Sequence, residues 1–204
     1  MATVKYITGL DLGQAHDYTA LTILQKSKRP DSDHPERLVN HYAARHLERL
    51  PLGTPYTTVC TRMATIFAAP DLAGSGLAVD MTGVGRPVVD MLRRAKLKAR
   101  IEPITVTGGH RASVDPKGGW LVPKKELVTT LQLLLQSRRL KIAPMLPDAQ
   151  TLVKELLDFQ VKITASAHET FGAWREGTHD DLAFALAIAA WDGEHLGRKQ
   201  PIFV

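Results

Sequence analysis

Cysteine is nearly absent from this chain of 204 residues, since Cys60 is the only one. A single cysteine excludes an internal disulfide and any zinc site built from several cysteines. Apolar residues never form a run of the roughly 18 residues that a membrane-spanning helix needs. The N-terminal segment MATVKYITGL also lacks the charged region and long apolar stretch of a signal peptide. The sequence therefore predicts an intracellular protein without a membrane partner.

A Walker A motif is absent as well. The segment GVGRP, residues 83–87, contains two glycines but neither the spacing nor the Lys-Ser/Thr pair of a phosphate-binding loop, so it predicts no nucleotide site. The chain is 44% apolar and 23% charged, which is ordinary for a globular protein, and its length suits one domain. We expect a single domain over residues 1–204 and no ATPase domain.

Positive charge is concentrated in the middle of the chain. Residues 86–141 carry 13 Lys and Arg against 4 Asp and Glu, whereas residues 142–204 carry 5 against 9. A basic surface beside an acidic site would draw a polyanion such as DNA towards carboxylates that repel it. The alternative is a solvated helical face rich in lysine, which the charge distribution favours equally.

Apolar periodicity predicts strands and helices in alternation, with several strands first. The pattern is typical of an α/β architecture in which helices cover a mixed β-sheet, an antiparallel meander followed by parallel strands. Strands are predicted at 4–10, 19–24, 38–47, 77–80, 101–106 and 140–143, and helices at 55–68, 87–95, 124–139, 149–160 and 180–195. A polar turn is predicted at 27–36 and a glycine-rich loop or hairpin at 107–119.

Acidic residues follow or open apolar segments at three distant places. Asp11 and Asp80 each end a predicted strand, and Asp180 with Asp181 opens a helix that is apolar nearly all round. A buried carboxylate is costly unless a cation or several hydrogen-bond donors compensate it. Mg²⁺ and Mn²⁺ prefer oxygen ligands of this kind. The three places together predict carboxylates gathered around a divalent metal ion.

Each acidic residue also has an ordinary structural interpretation. Asp11 fits a turn, and Asp80 fits the N-cap of the helix that follows it. One of the adjacent pair at 180–181 fits the negative charge that a helix N-terminus favours. Asp17 fits a turn or a cap of the next strand better than the role of a second ligand or water-holding carboxylate.

Several motifs share their order along the chain with a known family. A first-strand Asp11 precedes a small-residue turn and the segment Asp-Tyr-Thr at 17–19, and a central strand ends in Asp-Met-Thr-Gly-Val-Gly at 80–85. A late His-Asp-Asp-Leu at 179–182 opens an alanine-rich helix, and VPKKELVTTLQLLLQSRRLKIA precedes it at 122–143. Together these motifs resemble the RNase H-like nuclease superfamily, and most closely the nuclease domain of phage terminase large subunits. The resemblance covers nearly the whole chain.

The resemblance implies an RNase H-like fold and a metal-dependent DNA endonuclease that hydrolyses phosphodiester bonds with two Mg²⁺ or Mn²⁺ ions. It implies Asp11, Asp80 and Asp181 as the catalytic metal ligands. Asp180 and His179 are then neighbours that bind metal or water, and of the two adjacent aspartates we prefer Asp181 as the ligand. Candidates for phosphate contacts, each of which also fits an ordinary surface base, are Arg86, Arg111, Lys117, Lys124 and Lys125.

The absence of a Walker A motif separates the chain from packaging terminases, which carry an N-terminal ATPase. The resemblance then implies DNA as the substrate, a separate ATPase subunit or another phage protein as a partner, and a phage or prophage origin in a bacterial cytoplasm. A homo-oligomer is compatible, because one centre nicks only one strand. Three alternatives remain: a nuclease similar to Holliday-junction resolvases, a DNA-binding relic without activity, and an actin-like sugar kinase, which needs two such domains.

Overall fold

The computed structural model of the chain describes residues 5–13, 17–83, 86–166 and 179–195, and only the backbone over 158–166. These residues form a mixed sheet of eight strands with five α-helices. In chain order the elements are β1 Lys5–Asp11, β2 Ala20–Pro30, β3 Leu38–Arg49, α1 Tyr56–Phe67, a 3-10 turn Pro70–Leu72, β4 Ser75–Asp80, α2 Arg86–Arg94, β5 Ala99–Thr107, β6 Ser113–Val114, β7 Trp120–Pro123, α3 Lys124–Gln136, β8 Leu140–Ile142, α4 Ala149–Ser166 and α5 Asp181–His195.

The strands lie in the order β6-β7-β5-β4-β1-β2-β3-β8. β1, β2 and β3 form an antiparallel meander, while β4, β5 and β7 continue the sheet parallel to β1. Parallel strands end at the same side of a sheet. The segments that follow β1, β4, β5 and β7 therefore emerge together, and we call this side the carboxyl end of the sheet.

Two apolar cores lie on the two faces of the sheet. One contains Val59, Met63 and Leu92, contributed by α1 and α2. The other contains residues of α3, α4 and α5, among them the fully buried Trp191. None of the helices in the described part of the chain combines the length and the apolar character needed to cross a membrane.

Helix α5 lies in direct backbone contact with β1. A Cβ atom added to Gly9 would come within 1.9 Å of the Ala185 carbonyl oxygen, so only glycine permits this approach. Further along the helix, Asp192 lies beside Gly76 of β4. Ala185 thus lies near the carboxyl end of β1, and Asp192 lies near the beginning of β4. Helix α5 therefore runs antiparallel to these strands, and its N-terminus lies at the carboxyl end of the sheet.

The predicted fold class, an α/β mixed sheet with an antiparallel meander before parallel strands, is confirmed. Two segments differ from the prediction. Residues 27–30, predicted as a turn, continue β2 and pair with β3 as far as Pro30↔Leu38. The strand Trp120–Pro123 was not predicted, because its pairing partner β5 lies elsewhere in the chain. The predicted glycine-rich loop contains the short strand β6, which pairs with β7 as a hairpin.

Candidate metal centre

Asp11 and Asp80 occupy equivalent positions on neighbouring parallel strands. The register of β1 and β4 runs to Leu10↔Val79, and the next residue of each strand is the aspartate. Side chains alternate between the faces of a sheet, so each aspartate shares a face with the residue two positions before it. Those residues, Gly9 and Ala78, lie on the α5 side. Both carboxylates therefore point to the face that α5 covers.

The turn after β4 fixes the Asp80 carboxylate. Asp80 is 3% exposed, and its Oδ1 accepts a hydrogen bond of 2.8 Å from the backbone N–H of Thr82. The Thr82 hydroxyl in turn accepts the backbone N–H of Val106 at 2.8 Å, which ties this turn to β5. The positive φ of Gly83, 83°, suits a glycine. The remainder of the matched motif, residues 84–85, lies outside the described residues.

Hydrogen bonds between Gly13 and Thr19 link the end of β1 to the residue before β2. The Gly13 N–H donates to the Thr19 hydroxyl, which donates to the Gly13 carbonyl, both at 3.2 Å. A Cβ atom on Gly13 would lie 2.2 Å from the Asp17 carbonyl oxygen. The glycine and the threonine thus bring Asp17 and Tyr18 back over the end of the sheet.

Asp17, His179 and Asp181 come together at the N-terminus of α5. One ligand atom from each lies within 4.8 Å of the others, and within the described ranges no other three His, Cys, Asp or Glu residues meet that condition. The side chain of Asp181 is 5% exposed, and its Oδ2 is buried without a hydrogen-bond partner. Two carboxylates and an imidazole around a buried, incompletely satisfied oxygen fit a divalent cation.

Asp180 precedes this first helical turn. Its carbonyl accepts the N–H of Phe184 at 2.8 Å, which makes residue 180 the start of the α5 hydrogen-bond ladder. Of the predicted ligands, Asp181 and His179 belong to the three-residue group, whereas Asp11, Asp80 and Asp180 do not. Asp11 and Asp80 end their strands at the carboxyl end of the sheet, and Asp180, Asp181 and His179 begin the helix that covers the same face.

A half-buried arginine lies against this group. Arg49, at the end of β3, forms an ion pair with Glu155 of α4 and approaches Asp181 Oδ2 to 3.6 Å. Its guanidinium lies 4.5 Å from the centroid of the Tyr18 ring, and that ring packs edge-on against His179. Glu155 Oε2 also accepts the N–H of Ala183, in the first turn of α5, at 2.9 Å.

Burial dominates the ionisation of the two acidic side chains beside Arg49. It raises the pKa of Glu155 to about 7, against the opposing effects of the Ala183 N–H and of Arg49. It raises the pKa of Asp181 to about 6, which the Arg49 charge partly offsets and Asp180 increases. Burial thus favours the neutral form of both carboxyls, and the Arg49 charge opposes this effect.

Basic residues follow the same strand ends. Arg86 begins α2 after β4, Arg111 follows β5, and Lys124 and Lys125 begin α3 after β7. Lys117 lies in the turn between β6 and β7, where its carbonyl accepts a hydrogen bond from the Arg86 guanidinium. Four of the five predicted phosphate-binding residues therefore lie on segments at the carboxyl end of the sheet. The fifth, Lys117, lies on the hairpin that Arg86 contacts.

Sequence reasoning did not identify Arg49 and Glu155, and it gave Asp17 less weight than its position supports. A signal for Glu155 was present, since it lies at helical spacing from the buried Leu152 and Leu156 and therefore on the apolar face of α4. Arg49 had no comparable signal, because its partner is 106 residues away in the chain.

Comparison with solved structures identifies the fold. The large terminase nuclease from thermophilic phage G20c, solved with bound magnesium, matches 92% of this chain and 81% of its own at a TM-score of 0.55 and 21% identity. The human cytomegalovirus terminase nuclease domain matches 93% of this chain and 84% of its own, with a TM-score of 0.55 and 12% identity. This chain has the RNase H-like fold of the terminase nucleases.

Sequence comparison gives the same relatives. The terminase large subunit of Thermus phage G20c is 23% identical over 184 residues, which are 90% of this chain and 31% of the phage protein. The chain thus spans about a third of the length of that relative. No protein-family model matches it. Of the expectations from sequence, the similarity to terminase nucleases and the RNase H-like fold are confirmed.

Proposed function

We propose that this protein is a metal-dependent DNA endonuclease with its active site at the N-terminus of α5. The observation that carries the proposal is the group of Asp17, His179 and the buried Asp181, in a terminase-nuclease fold. Asp11 and Asp80 end adjacent strands on the face that α5 covers. Few other chemistries need so many carboxylates beside a basic surface.

The donor set fits Mg²⁺ or Mn²⁺, and the number of carboxylates is sufficient for two ions. In this proposal Asp11, Asp80 and Asp181 are the main ligands, and Asp17, Asp180 and His179 complete the coordination. When bound, divalent cations supply an activated water and offset the charge that develops on the phosphate and the leaving oxygen. Carboxylate ligands with an imidazole are compatible with Mn²⁺ as well as Mg²⁺.

The protein itself contributes orientation. The Thr82 N–H donates a hydrogen bond to one oxygen of Asp80 and fixes it. The hydrogen bond between Gly13 and Thr19 restrains the backbone next to Asp17. The Glu155–Ala183 hydrogen bond fixes the first turn of α5 and with it the backbone of Asp181. Rigid mounting of this kind keeps the ligands in the geometry that catalysis requires.

The basic residues Arg86, Arg111, Lys117, Lys124 and Lys125 would hold the DNA backbone across this centre. The relatives suggest a terminase-like role in processing or packaging phage DNA inside a bacterial host. Because the chain corresponds to 31% of such a relative, we propose that an ATPase acts with it, on another subunit or another segment. Two copies, or two encounters, would be needed to cut both strands.

Plasmid cleavage tests this function. Supercoiled DNA and a four-way junction are incubated with the protein in Mg²⁺, Mn²⁺ or EDTA, and the same assay is run with Asp80→Asn and with the control Asp90→Asn. Asp90 is partly exposed on α2 and pairs with Arg93 three residues later. We expect metal-dependent nicking or linearisation that Asp80→Asn reduces at least about a hundredfold, as loss of a metal ligand usually does.

Other outcomes would decide between the alternatives. Metal binding without cleavage of any DNA form would indicate an inactive DNA-binding protein. Exclusive cleavage of the four-way junction would indicate a resolvase-like nuclease. Cleavage that Asp80→Asn leaves intact would refute the proposed active site.

A further inference from the structure

We propose that Arg49, held in place by Glu155, is a resident counter-charge for the acidic centre that neutralises Asp181 when no metal ion is bound and weakens metal binding. This inference rests on the proposed function, because it concerns the same carboxylates. It assigns a positioning role to two residues that do not themselves belong to the predicted ligand set.

The contacts of Arg49 show that its position is fixed. The side chain is 18% exposed and pairs with the almost fully buried Glu155, and its guanidinium carbon lies 4.5 Å from the Tyr18 ring centroid, within cation–π distance. Glu155 is held in turn by the Ala183 N–H at 2.9 Å. A surface arginine could swing away from an arriving metal ion, but this one is enclosed by three elements.

The distances show that Arg49 acts on the carboxylate of Asp181. Its guanidinium is 3.6 Å from Asp181 Oδ2, too far for a good hydrogen bond but close enough for strong attraction. The same oxygen has no hydrogen-bond partner and lies 3.9 Å from His179. Arg49 therefore stabilises the negative charge of Asp181 without occupying the hydrogen-bonding position that a metal ion would use.

A fixed positive charge beside a metal ligand opposes the binding of a cation. Above pH 7 the neighbouring Glu155 is mainly ionised, and its negative charge then reduces this effect. Removing Arg49 and removing the Glu155 charge should therefore change metal affinity in opposite directions. A merely structural ion pair predicts instead that both variants lose stability and that neither changes affinity selectively.

The test is calorimetric titration of Mn²⁺ into the full chain without DNA, with Arg49→Gln and Glu155→Gln compared with the wild type. Both glutamines keep a hydrogen-bonding group at the site. We expect Arg49→Gln to bind Mn²⁺ about three- to tenfold more tightly, and Glu155→Gln to bind it more weakly by a similar factor. Arg100→Gln is the matched control, because Arg100 pairs with the buried Asp192 near the other end of α5 at 2.9 Å.

Thermal unfolding supplies a second readout. Arg49→Gln should lower Tm in EDTA and recover most of the loss in saturating Mn²⁺, whereas Arg100→Gln should lower Tm equally in both. If the wild type binds Mn²⁺ and both variants bind it with unchanged affinity, the counter-charge is refuted while the metal centre stands. If the wild type binds no Mn²⁺, the proposed metal centre is refuted and the counter-charge with it.

Discussion

Asp192 shows how strongly burial acts on single charged residues in this molecule. Burial raises the pKa of its carboxyl to about 6 from 3.8, although Arg100 donates a hydrogen bond to it at 2.9 Å and opposes the shift. Asp192 lies near the C-terminal end of α5, and Asp181 lies at the beginning. Each is paired with an arginine of a neighbouring strand, Arg100 or Arg49. The helix is therefore anchored electrostatically near both ends.

The raised pKa of Asp192 predicts how stability depends on pH. Between pH 3.8 and about 6 the folded state binds more protons at this carboxyl than the unfolded state does. The free energy of unfolding should therefore fall as pH rises through this interval, and Asp192→Asn should flatten that part of the curve. Chemical denaturation at several pH values measures how the free energy of unfolding depends on pH. The exposed Asp71→Asn is the control, and equal slopes for wild type and Asp192→Asn would contradict the prediction.

Helix α5 depends on one small residue of the strand beneath it. Gly9→Ala would place a methyl group 1.9 Å from the Ala185 carbonyl oxygen, so the helix must move away from β1. We expect a loss of roughly 3 kcal/mol or more in the free energy of unfolding, at the upper end for overpacked sites. Urea denaturation measures it against Gly109→Ala, whose nearest new contact is at 3.4 Å. Similar losses in the two variants would refute this account of the close approach.

Elements with strong local patterns were predictable from the sequence, and elements that depend on distant partners were not. The helices α1, α3 and α5 follow apolar periodicity or continuous apolar character, which are local properties. Within the described ranges, residues 27–30 of β2 pair with β3 and not with β1, and no apolar pattern marks this segment. β7 is four residues long, and its pairing with β5 has no signal in its own sequence.

The candidate site also contains residues that the sequence predicts and residues that it does not. Asp11, Asp80 and Asp181 were predicted because each follows or opens an apolar segment. The parallel pairing of β1 and β4 places Asp11 and Asp80 at equivalent strand ends, and only the fold reveals this pairing. Arg49 and Glu155 belong to elements far apart in sequence, so their pairing could not be inferred from either segment alone.

At the scale of the whole molecule, exposed basic residues lie at both ends of the sheet. Arg111 and Lys125 are exposed at the carboxyl end, near the candidate site, whereas Arg94 and Lys98 are exposed at the opposite end, before β5. In the proposed function, DNA at the active site should therefore contact the first pair and not the second. The overall charge of the protein is the same whichever pair is removed.

This difference predicts the salt dependence of DNA binding. Replacing Arg111 and Lys125 together by Gln should weaken binding to duplex DNA and reduce the slope of log K against log salt by about 2, one for each lost phosphate contact. Replacing Arg94 and Lys98 by Gln removes the same charge and should leave the slope unchanged. Fluorescence anisotropy in Ca²⁺, over a range of salt concentrations, measures both. Equal slopes for the two double variants would show that long-range charge alone attracts the DNA.

The packing of α5 on β1 also bears on the synthesis of the protein. The first strand of the sheet and the helix that completes the candidate site are separated by some 170 residues of chain. A ribosome releases β1 early, but its aspartate has no helix to meet until the codons for α5 have been translated and that segment has left the exit tunnel. The growing polypeptide therefore lacks part of the candidate site through most of its translation, and Asp181 can reach its place beside Asp17 only after the helix has docked.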